Sequence, residues 1–174
     1  MTGVVVYKSK TGFTKKYAEW IAEELQYTLL ENNKLDIKEL LKYDTIIYGG
    51  GRYASSIAGL DLIKKNYELL KDKNIVIWTT GYNPGRKDDL DAVWNCQFTP
   101  EQLQNIKTYY LRGGFDYNKL NKGYKLLMKI LMSKLKNDKN PSEEARGLIH
   151  AYEKPQDYRK KENILPLIEY VRSL

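Results

Sequence analysis

The sequence is short of the side chains that most catalytic and metal sites use. Among 174 residues there is one cysteine, Cys96, and one histidine, His150. A single cysteine excludes an internal disulfide and a multi-cysteine zinc or iron–sulfur site. A single histidine argues against a histidine-rich metal site, and a Ser–His or Cys–His hydrolase would need His150 itself as the base. We therefore expect no metal site and no catalytic side-chain nucleophile.

Long apolar runs are also missing. No run approaches the roughly 18 residues that predict a membrane-spanning helix. Residues 1–7 indicate a strand rather than a signal peptide, because no basic region precedes them and polar residues follow at once. Hydrophobic residues nevertheless make up 42 % of the chain, which favours a folded domain over disorder. The expected location is cytoplasmic.

Basic residues outnumber acidic residues, and most of the excess lies in one segment. The chain has 29 Lys and Arg residues against 22 Asp and Glu residues, a formal net charge of +7. Residues 113–139 hold seven lysines and two aspartates, while the rest of the chain is nearly balanced. The interleaved basic and aromatic residues of a nucleic-acid surface are missing along the predicted strands. We therefore expect no nucleic-acid partner.

Short apolar runs alternate with helical patterns along the chain. The runs predict strands at Gly3–Tyr7, Tyr27–Glu31, Thr45–Tyr48, Asn74–Thr80 and Thr108–Leu111. Apolar spacings of three and four predict helices at Phe13–Leu25, Asp36–Tyr43, Ile57–Leu70, Thr99–Ile106, Leu120–Lys136 and Asp157–Leu174. The alternation is typical of an α/β fold with a doubly wound parallel sheet. Ligands in such folds bind at the carboxyl ends of the strands.

The loop after the first strand carries the clearest functional signal. Residues 9–14 are Ser-Lys-Thr-Gly-Phe-Thr and open the first predicted helix. A helix N-terminus offers unpaired N–H groups to an anion, and Gly12 permits its close approach. The hydroxyls of Ser9, Thr11 and Thr14 can donate hydrogen bonds to a phosphate oxygen. Since neither the Gly-Lys-Ser/Thr ending nor the G-x-G-x-x-G pattern is present, the loop is a phosphate site of another type or an ordinary turn.

Residues 4–14 resemble the first strand and the FMN-phosphate loop of the flavodoxin family, which has the form S/T-x-T-G-x-T. The resemblance implies one domain over residues 1–174, with a five-stranded parallel sheet in the order 2-1-3-4-5 and a bound FMN. It assigns a set of residues to the phosphate: Ser9, Thr11, Gly12 and Thr14, with the backbone of Lys10 and Phe13.

The flavin ring is then expected between the loops after the third and fourth strands. The candidate contacts in these loops are Gly50, Gly51, Arg52, Tyr53, Ala54, Thr80, Gly81, Tyr82 and Asn83. Tyr53 and Tyr82 are candidates to stack on the ring, with an exposed loop position as the alternative for each. Arg52 is a candidate to offset charge on a reduced flavin or a substrate. The flavin supplies the redox chemistry, so no catalytic side chain is required.

A basic helical insert is expected after the fifth strand, at about residues 113–140. One face of its helix is apolar, and it comprises Leu120, Tyr124, Leu127, Met128, Leu131 and Leu135, widened by Ile130 and Met132. The opposite side carries Lys122, Lys125, Lys129 and Lys136. This pattern is typical of a helix at a membrane interface, and the alternative is a helix that packs its apolar face onto the domain. The predicted contacts with substrate or membrane are Arg112, Lys122, Lys125 and Lys129.

Residues 111–117 and 125–132 look like the insertion of menaquinone-dependent protoporphyrinogen dehydrogenases, although Gly113–Phe115 departs from the aromatic, basic stretch of that branch. This similarity implies an FMN oxidoreductase that oxidises protoporphyrinogen IX and passes electrons to a quinone. It would act on the inner face of a membrane, with residues 115–138 on the anionic surface. The alternatives are a non-enzymatic electron carrier that docks a redox partner through the insert, and an interaction module without flavin.

Overall fold

The computed structural model describes residues 2–53 and 55–174. Five parallel strands form one sheet in the order β2-β1-β3-β5-β6. These strands are β1 (Gly3–Lys8), β2 (Thr28–Glu31), β3 (Thr45–Tyr53), β5 (Asn74–Gly81) and β6 (Ile106–Arg112). A short strand β4 (Ser56–Ile57) pairs antiparallel with the end of β3. The predicted α/β class and the predicted order of the five strands are confirmed.

Helices cover both faces of the sheet. Their bounds are α1 (Phe13–Leu25), α2 (Ile37–Leu40), α3 (Asp61–Lys64), α4 (Tyr67–Leu70), α5 (Lys87–Gln97), α6 (Pro100–Asn105), α7 (Lys122–Lys136), α8 (Glu143–Glu153) and α9 (Leu165–Arg172). Val4 and Val6 of β1 face a core shared with α2 to α5. Val5 and Tyr7 face a second core shared with α1 and α9. This alternation explains why the central strands are apolar throughout.

Several predicted helix boundaries were wrong. The pattern over 57–70 is divided into β4, α3 and α4, with Gly59 in the left-handed region at φ +70° between β4 and α3. The last helix begins at Leu165 rather than at residue 157, because residues 156–157 pair in a small strand and 161–164 form a 3-10 turn. Helices α5 and α8 were not predicted at all.

The chain leaves the sheet after β6 and returns to it before α9. At the base of this excursion, β7 (Gly114–Phe115) pairs antiparallel with β8 (Gln156–Asp157), and the Tyr158 N–H donates to the Gly113 carbonyl at 2.8 Å. We term this pairing the base ribbon. The segment between its strands, residues 116–155, contains α7 and α8 and is termed the cap. The excursion therefore continues past the predicted end of the insert at residue 140.

Candidate functional site

A cavity of about 510 Å³ lies at the carboxyl ends of β1, β3 and β5. Its volume is in the range of small-molecule sites, roughly 300–1,000 Å³. The loops that follow these strands form its floor, and the cap forms its roof. The apolar side chains of the roof are Leu120, Tyr124, Leu127, Met128, Leu131 and Leu148. The cavity therefore joins a polar floor at the sheet to an apolar cover.

The loop over residues 9–14 presents a helix N-terminus to this cavity. Helix α1 has Gly12 as its N-cap, with φ +87°, and no side chain caps its first turn. The first turn contains no acidic residue. The Gly12 N–H donates to the Ser9 hydroxyl at 3.0 Å, which shapes the turn before the helix. Uncapped N–H groups, a positive dipole end and nearby hydroxyls suit a bound phosphate.

Two buried threonines join the loop to the neighbouring strand end. The hydroxyls of Thr14 and Thr80 lie 2.6 Å apart in a hydrogen bond that either can donate. A Cβ at Gly51 would lie 3.5 Å from the Thr14 hydroxyl and 3.3 Å from the Tyr53 ring, so the strand end packs closely here. The loops after β1, β3 and β5 thus form one continuous surface.

Lys10 connects this loop to the roof. Its Nζ donates to the Tyr124 hydroxyl at 2.7 Å and lies 4.4 Å from the centre of the Tyr53 ring. The Tyr53 and Tyr124 rings are 5.4 Å apart and tilted by 34°. Burial, with a smaller effect of Tyr124, raises the pKa of Tyr53 to about 12, so its hydroxyl stays neutral at physiological pH. Sequence reasoning missed Tyr124 as a site residue, although its place on the apolar face was visible.

Tyr82 lines the other side of the cavity and anchors α8. Its hydroxyl donates to the Gly147 carbonyl at 2.9 Å, and its ring lies 6.3 Å from Phe115 and 6.0 Å from Tyr158. Burial raises the pKa of Tyr82, with a further contribution from Tyr158. Tyr82 therefore lies at the cavity wall while it fixes part of the roof.

Ten of the predicted site residues line the cavity. They are Lys10, Thr11, Phe13, Thr14, Gly51, Arg52, Tyr53, Thr80, Gly81 and Tyr82. Ser9 and Gly12 are not among the lining residues and are joined by the hydrogen bond described above. Gly50 is not among them either, and its carbonyl accepts a hydrogen bond from the Thr79 hydroxyl at 2.9 Å. Asn83 borders a smaller neighbouring cavity. Ala54 lies outside the described residues.

None of the four cations predicted to contact substrate or membrane lines the cavity. Arg112 points into the fold, where its Nε donates to the Tyr82 carbonyl at 3.2 Å and its guanidinium lies 3.7 Å from the Tyr158 ring centre. Lys125 lies over the Tyr117 ring at 5.6 Å. Lys122 and Lys129 are exposed on α7. The role of these residues as substrate or membrane contacts stays a prediction.

The apolar face of α7 is divided between two environments. Met132 is buried, and Tyr124, Met128, Leu131 and Leu135 are half-buried. Leu126, Leu127 and Ile130 are 62 %, 58 % and 52 % exposed, and these three form what we term the outer strip. Most of the predicted apolar face therefore packs toward the domain, as the alternative in the sequence analysis proposed. Ile130 turns outward, and Leu127 lines the edge of the cavity while it stays largely exposed, so the helix also presents apolar surface to its surroundings.

Neither a membrane-spanning helix nor a metal-binding cluster was found in the described ranges. No helix within residues 2–53 and 55–174 is both long and apolar enough to cross a membrane. Over the same ranges, no group of three or more His, Cys, Asp or Glu side chains is arranged to hold a metal ion.

The sheet order, the helix N-terminus and the adjoining cavity define an FMN-binding redox protein. The flavodoxin domain family matches residues 4–142, and the chain belongs to this family. Flavodoxin domains are FMN-binding flavoproteins, so FMN is the cofactor of this site.

Several solved structures resemble the chain. Oxidised flavodoxin 2 from Bacillus cereus has 16 % identity and a TM-score of 0.44, with 64 % of this chain and 84 % of that chain covered. Two-electron reduced flavodoxin from Megasphaera elsdenii has 15 % identity and a TM-score of 0.44, with 63 % and 85 % covered. A flavodoxin from the domain Archaea has 17 % identity and a TM-score of 0.41, with 68 % and 89 % covered. A comparison with curated proteins gave no match.

The residues present fit FMN. The uncapped α1 N-terminus with the hydroxyls of Thr11 and Thr14 can hold the phosphate. Tyr53 and Tyr82 are positioned at the cavity wall, where aromatic rings can contact the flavin. The lining outside the phosphate loop is mainly apolar, as a flat aromatic ring system requires.

Proposed function

We propose that the protein is an FMN-dependent dehydrogenase that oxidises an apolar, reduced organic donor of the protoporphyrinogen IX type and passes the electrons to a quinone. The observation that carries this proposal is the apolar roof over the cofactor cavity. When bound, FMN accepts two electrons from a donor and returns them to an acceptor. The six apolar side chains of the roof offer a surface on which an apolar donor can bind beside the cofactor.

The side chains of the site bind, orient and exclude water. The roof residues Met128 and Leu131 remove apolar donor surface from water, which favours binding. Tyr53 stays neutral, so it adds no charge to the cavity wall. Lys10 and Arg52 place positive charge at the rim, where it can offset negative charge on a reduced cofactor or an acidic substrate.

The carrier function is the second candidate, and the charge of the cap favours it. Residues 113–139 hold seven lysines against two aspartates. Such a cationic surface would steer an acidic redox protein to the flavin site by long-range attraction. In that case the roof would limit solvent access to the flavin and would not bind a donor.

Anaerobic half-reactions separate these two functions. We expect protoporphyrinogen IX to reduce the yellow FMN-loaded protein, and menadione to reoxidise it. Replacing the roof residue Leu131 by Asn should lower the second-order rate with the porphyrinogen about tenfold, because apolar contact worth roughly 1.5 kcal/mol is lost. Reduction by dithionite, a small anion that needs no apolar surface, should change little.

Leu69→Asn is the matched control, since Leu69 is 58 % exposed on α4 and lies outside the cavity. Its rates should equal those of the unaltered protein. If porphyrinogen and menadione both fail to react while a flavodoxin reductase reduces the flavin readily, the protein is a carrier.

The outer strip of α7 supports a second proposal, which is peripheral binding to an anionic membrane. Leu126, Leu127 and Ile130 are exposed on a helix that also carries Lys122, Lys129 and Lys134. Exposed leucines between lysines suit the boundary between lipid headgroups and acyl chains. A quinone dissolved in that membrane would then lie near the cap.

Sedimentation with vesicles containing phosphatidylserine tests the membrane proposal. We expect binding at low salt, and we expect it to weaken about 100-fold when Lys122, Lys129 and Lys134 are all changed to Gln, at roughly 1 kcal/mol per lysine. The control variant changes Lys42, Lys65 and Lys71 to Gln, which removes the same charge from exposed ion pairs on the rest of the domain. Equal loss in both variants, or no binding at low salt, would contradict the proposal.

A further inference from the structure

Arg159 lies beside the phosphate loop, although it is 147 residues away from Gly12 in sequence. It comes two residues after the end of β8, the second strand of the base ribbon. Its Nη1 donates to the Gly12 carbonyl at 3.4 Å, and its guanidinium carbon lies 4.9 Å from the centre of the Phe13 ring. Gly12 is the N-cap of α1, and Phe13 is its first residue. One side chain therefore contacts both residues at which the uncapped helix begins.

The guanidinium of Arg159 is held in this place by Asp157. Its Nε donates to the two carboxylate oxygens of Asp157 at 2.9 Å and 3.1 Å, and its Nη2 donates to one of them. Because Nε and Nη2 are engaged by the carboxylate, Nη1 is the nitrogen that reaches the loop. An arginine suits this division, since the donors of its planar group point in fixed directions.

The backbone on either side of Arg159 is attached to the rest of the domain. The Tyr158 N–H donates to the Gly113 carbonyl as part of the base ribbon. The Lys160 N–H donates to the hydroxyl of Tyr17, a buried residue of α1, at 3.4 Å. These two bonds determine where the Arg159 side chain starts, so its contact with the phosphate loop is built into the fold.

The Gly12 carbonyl belongs to a peptide group whose N–H faces away from Arg159. This carbonyl also accepts the Lys16 N–H of α1 at 3.2 Å, and its two lone pairs allow both bonds. In a trans peptide the C=O and N–H bonds point in opposite directions. The Phe13 N–H therefore points out of the start of α1, where the first N–H groups of a helix have no partner within it. Fixing the carbonyl fixes the direction of this N–H.

The side chain of Phe13 attaches the same peptide to the base ribbon. Phe13 is buried, and a Cβ at Gly114 would lie only 2.6 Å from an atom of its ring. Gly114 is the first residue of β7. The start of α1 is thus held from both sides of the base ribbon, by β7 through Phe13 and by the segment after β8 through Arg159.

We infer that Arg159 is a positioning residue for the FMN phosphate. It holds the peptide between Gly12 and Phe13 so that the Phe13 N–H points at the phosphate, and Asp157 holds Arg159. A charged donor on the carbonyl also polarises the peptide, which makes its N–H a stronger donor. The inference requires only that FMN binds, so it applies equally to a dehydrogenase and to an electron carrier.

Titration of the apoprotein with FMN and with riboflavin tests this role. Riboflavin lacks the phosphate, so the ratio of the two affinities isolates binding at the loop. We expect Arg159→Gln to lower this ratio about tenfold, as when one hydrogen bond to a charged group is weakened. Arg159→Lys should lower it nearly as much, because a lysine has no planar group that can bind Asp157 and Gly12 together. Asp157→Asn should lower it about threefold, since a neutral amide holds the guanidinium less firmly.

Arg172→Gln is the matched control. Arg172 makes the same two kinds of contact near the other end of α1, where its Nη2 donates to the backbone carbonyl and to the carboxylate of Glu24. The variant removes an equal charge and a similar ion pair from the same helix. It should leave the ratio of FMN to riboflavin affinity unchanged.

Labelling with ¹⁵N-phenylalanine observes the peptide directly. The chain has three phenylalanines, Phe13, Phe98 and Phe115, so three amide signals are expected. The Phe13 amide proton should lie further downfield with FMN bound than with riboflavin bound, because only FMN brings a phosphate to it. This difference should shrink in Arg159→Gln. Phe98, which is buried in the core on the other face of the sheet, serves as the internal reference.

The outcomes that overturn the inference are distinct. Equal loss of FMN and riboflavin affinity in Arg159→Gln would show that Arg159 supports the fold and not the phosphate. An unchanged ratio in Arg159→Lys would show that charge alone suffices. If Arg159→Gln does not fold, Arg159→Lys and Asp157→Asn decide the test. None of these measurements involves turnover, so a protein that fails to oxidise porphyrinogen can still confirm the role of Arg159.

Discussion

Replacing Thr11 by aspartate is expected to weaken FMN binding at least about 100-fold. Thr11 lines the cavity one residue before Gly12, the N-cap of α1. A carboxylate there would face the phosphate, which carries about −1.5 to −2 charges at neutral pH. Two like charges about 4 Å apart repel each other by roughly 4 kcal/mol at the effective dielectric constant of a protein surface. The carboxylate would also compete for the unpaired N–H groups of the helix.

Titration of the apoprotein with FMN and with riboflavin measures this effect. Thr11→Asn is the matched variant, because Asn has nearly the size of Asp but no charge. Riboflavin lacks the phosphate, so its affinity should be the same in the Asp and Asn variants within a few-fold. FMN affinities of the two variants that differ less than threefold would show that the phosphate does not bind at this loop.

Replacing Trp78 by alanine is expected to lower the free energy of unfolding by about 3–5 kcal/mol, the usual cost of truncating a large buried aromatic residue. The side chain of Trp78 is fully buried in the core shared with α1 and α9. Its ring occupies the space that a side chain at Gly49 would need, so β3 and β5 pack closely at this point. Urea denaturation of the apoprotein measures the loss.

Trp78→Phe separates the effect of volume from that of the indole N–H. The Nε1 atom of Trp78 is buried and has no hydrogen-bond partner within the described part of the chain. Phenylalanine keeps an aromatic ring and removes this unpaired donor, whose burial costs roughly 1–3 kcal/mol. The Phe variant should therefore be clearly more stable than the Ala variant. A loss below about 1 kcal/mol in Trp78→Ala would contradict the packing described for this core.

The features that the sequence predicts well are local ones. The phosphate loop is a run of six consecutive residues, and its chemistry depends on a helix N-terminus that the same residues create. The central strands are buried on both faces, so each is a continuous apolar run. Strand order followed from the resemblance rather than from the runs themselves, since a run does not specify its neighbour in the sheet.

The features that were missed depend on contacts between distant parts of the chain. Helix α5 is largely polar and buries only Val93 and Trp94, so its periodicity was too weak to predict a helix. Tyr124 becomes a site residue only because Lys10, far away in sequence, donates to it. The Arg112 side chain likewise points into the fold because its guanidinium packs on the ring of Tyr158, which is also distant in sequence. Periodicity shows that α7 has two faces, but only packing shows which residues face the cavity.

The base ribbon allows the cap to vary independently of the rest of the domain. Because β7 pairs with β8 and Gly113 with Tyr158, the two ends of the cap are held side by side whatever lies between them. Lengthening a loop whose ends are already joined costs little free energy. The cap can therefore vary in length and sequence while the phosphate loop and the sheet stay unchanged. In such an architecture, a change of substrate or partner requires changes in the cap alone, while the residues that bind the cofactor are retained.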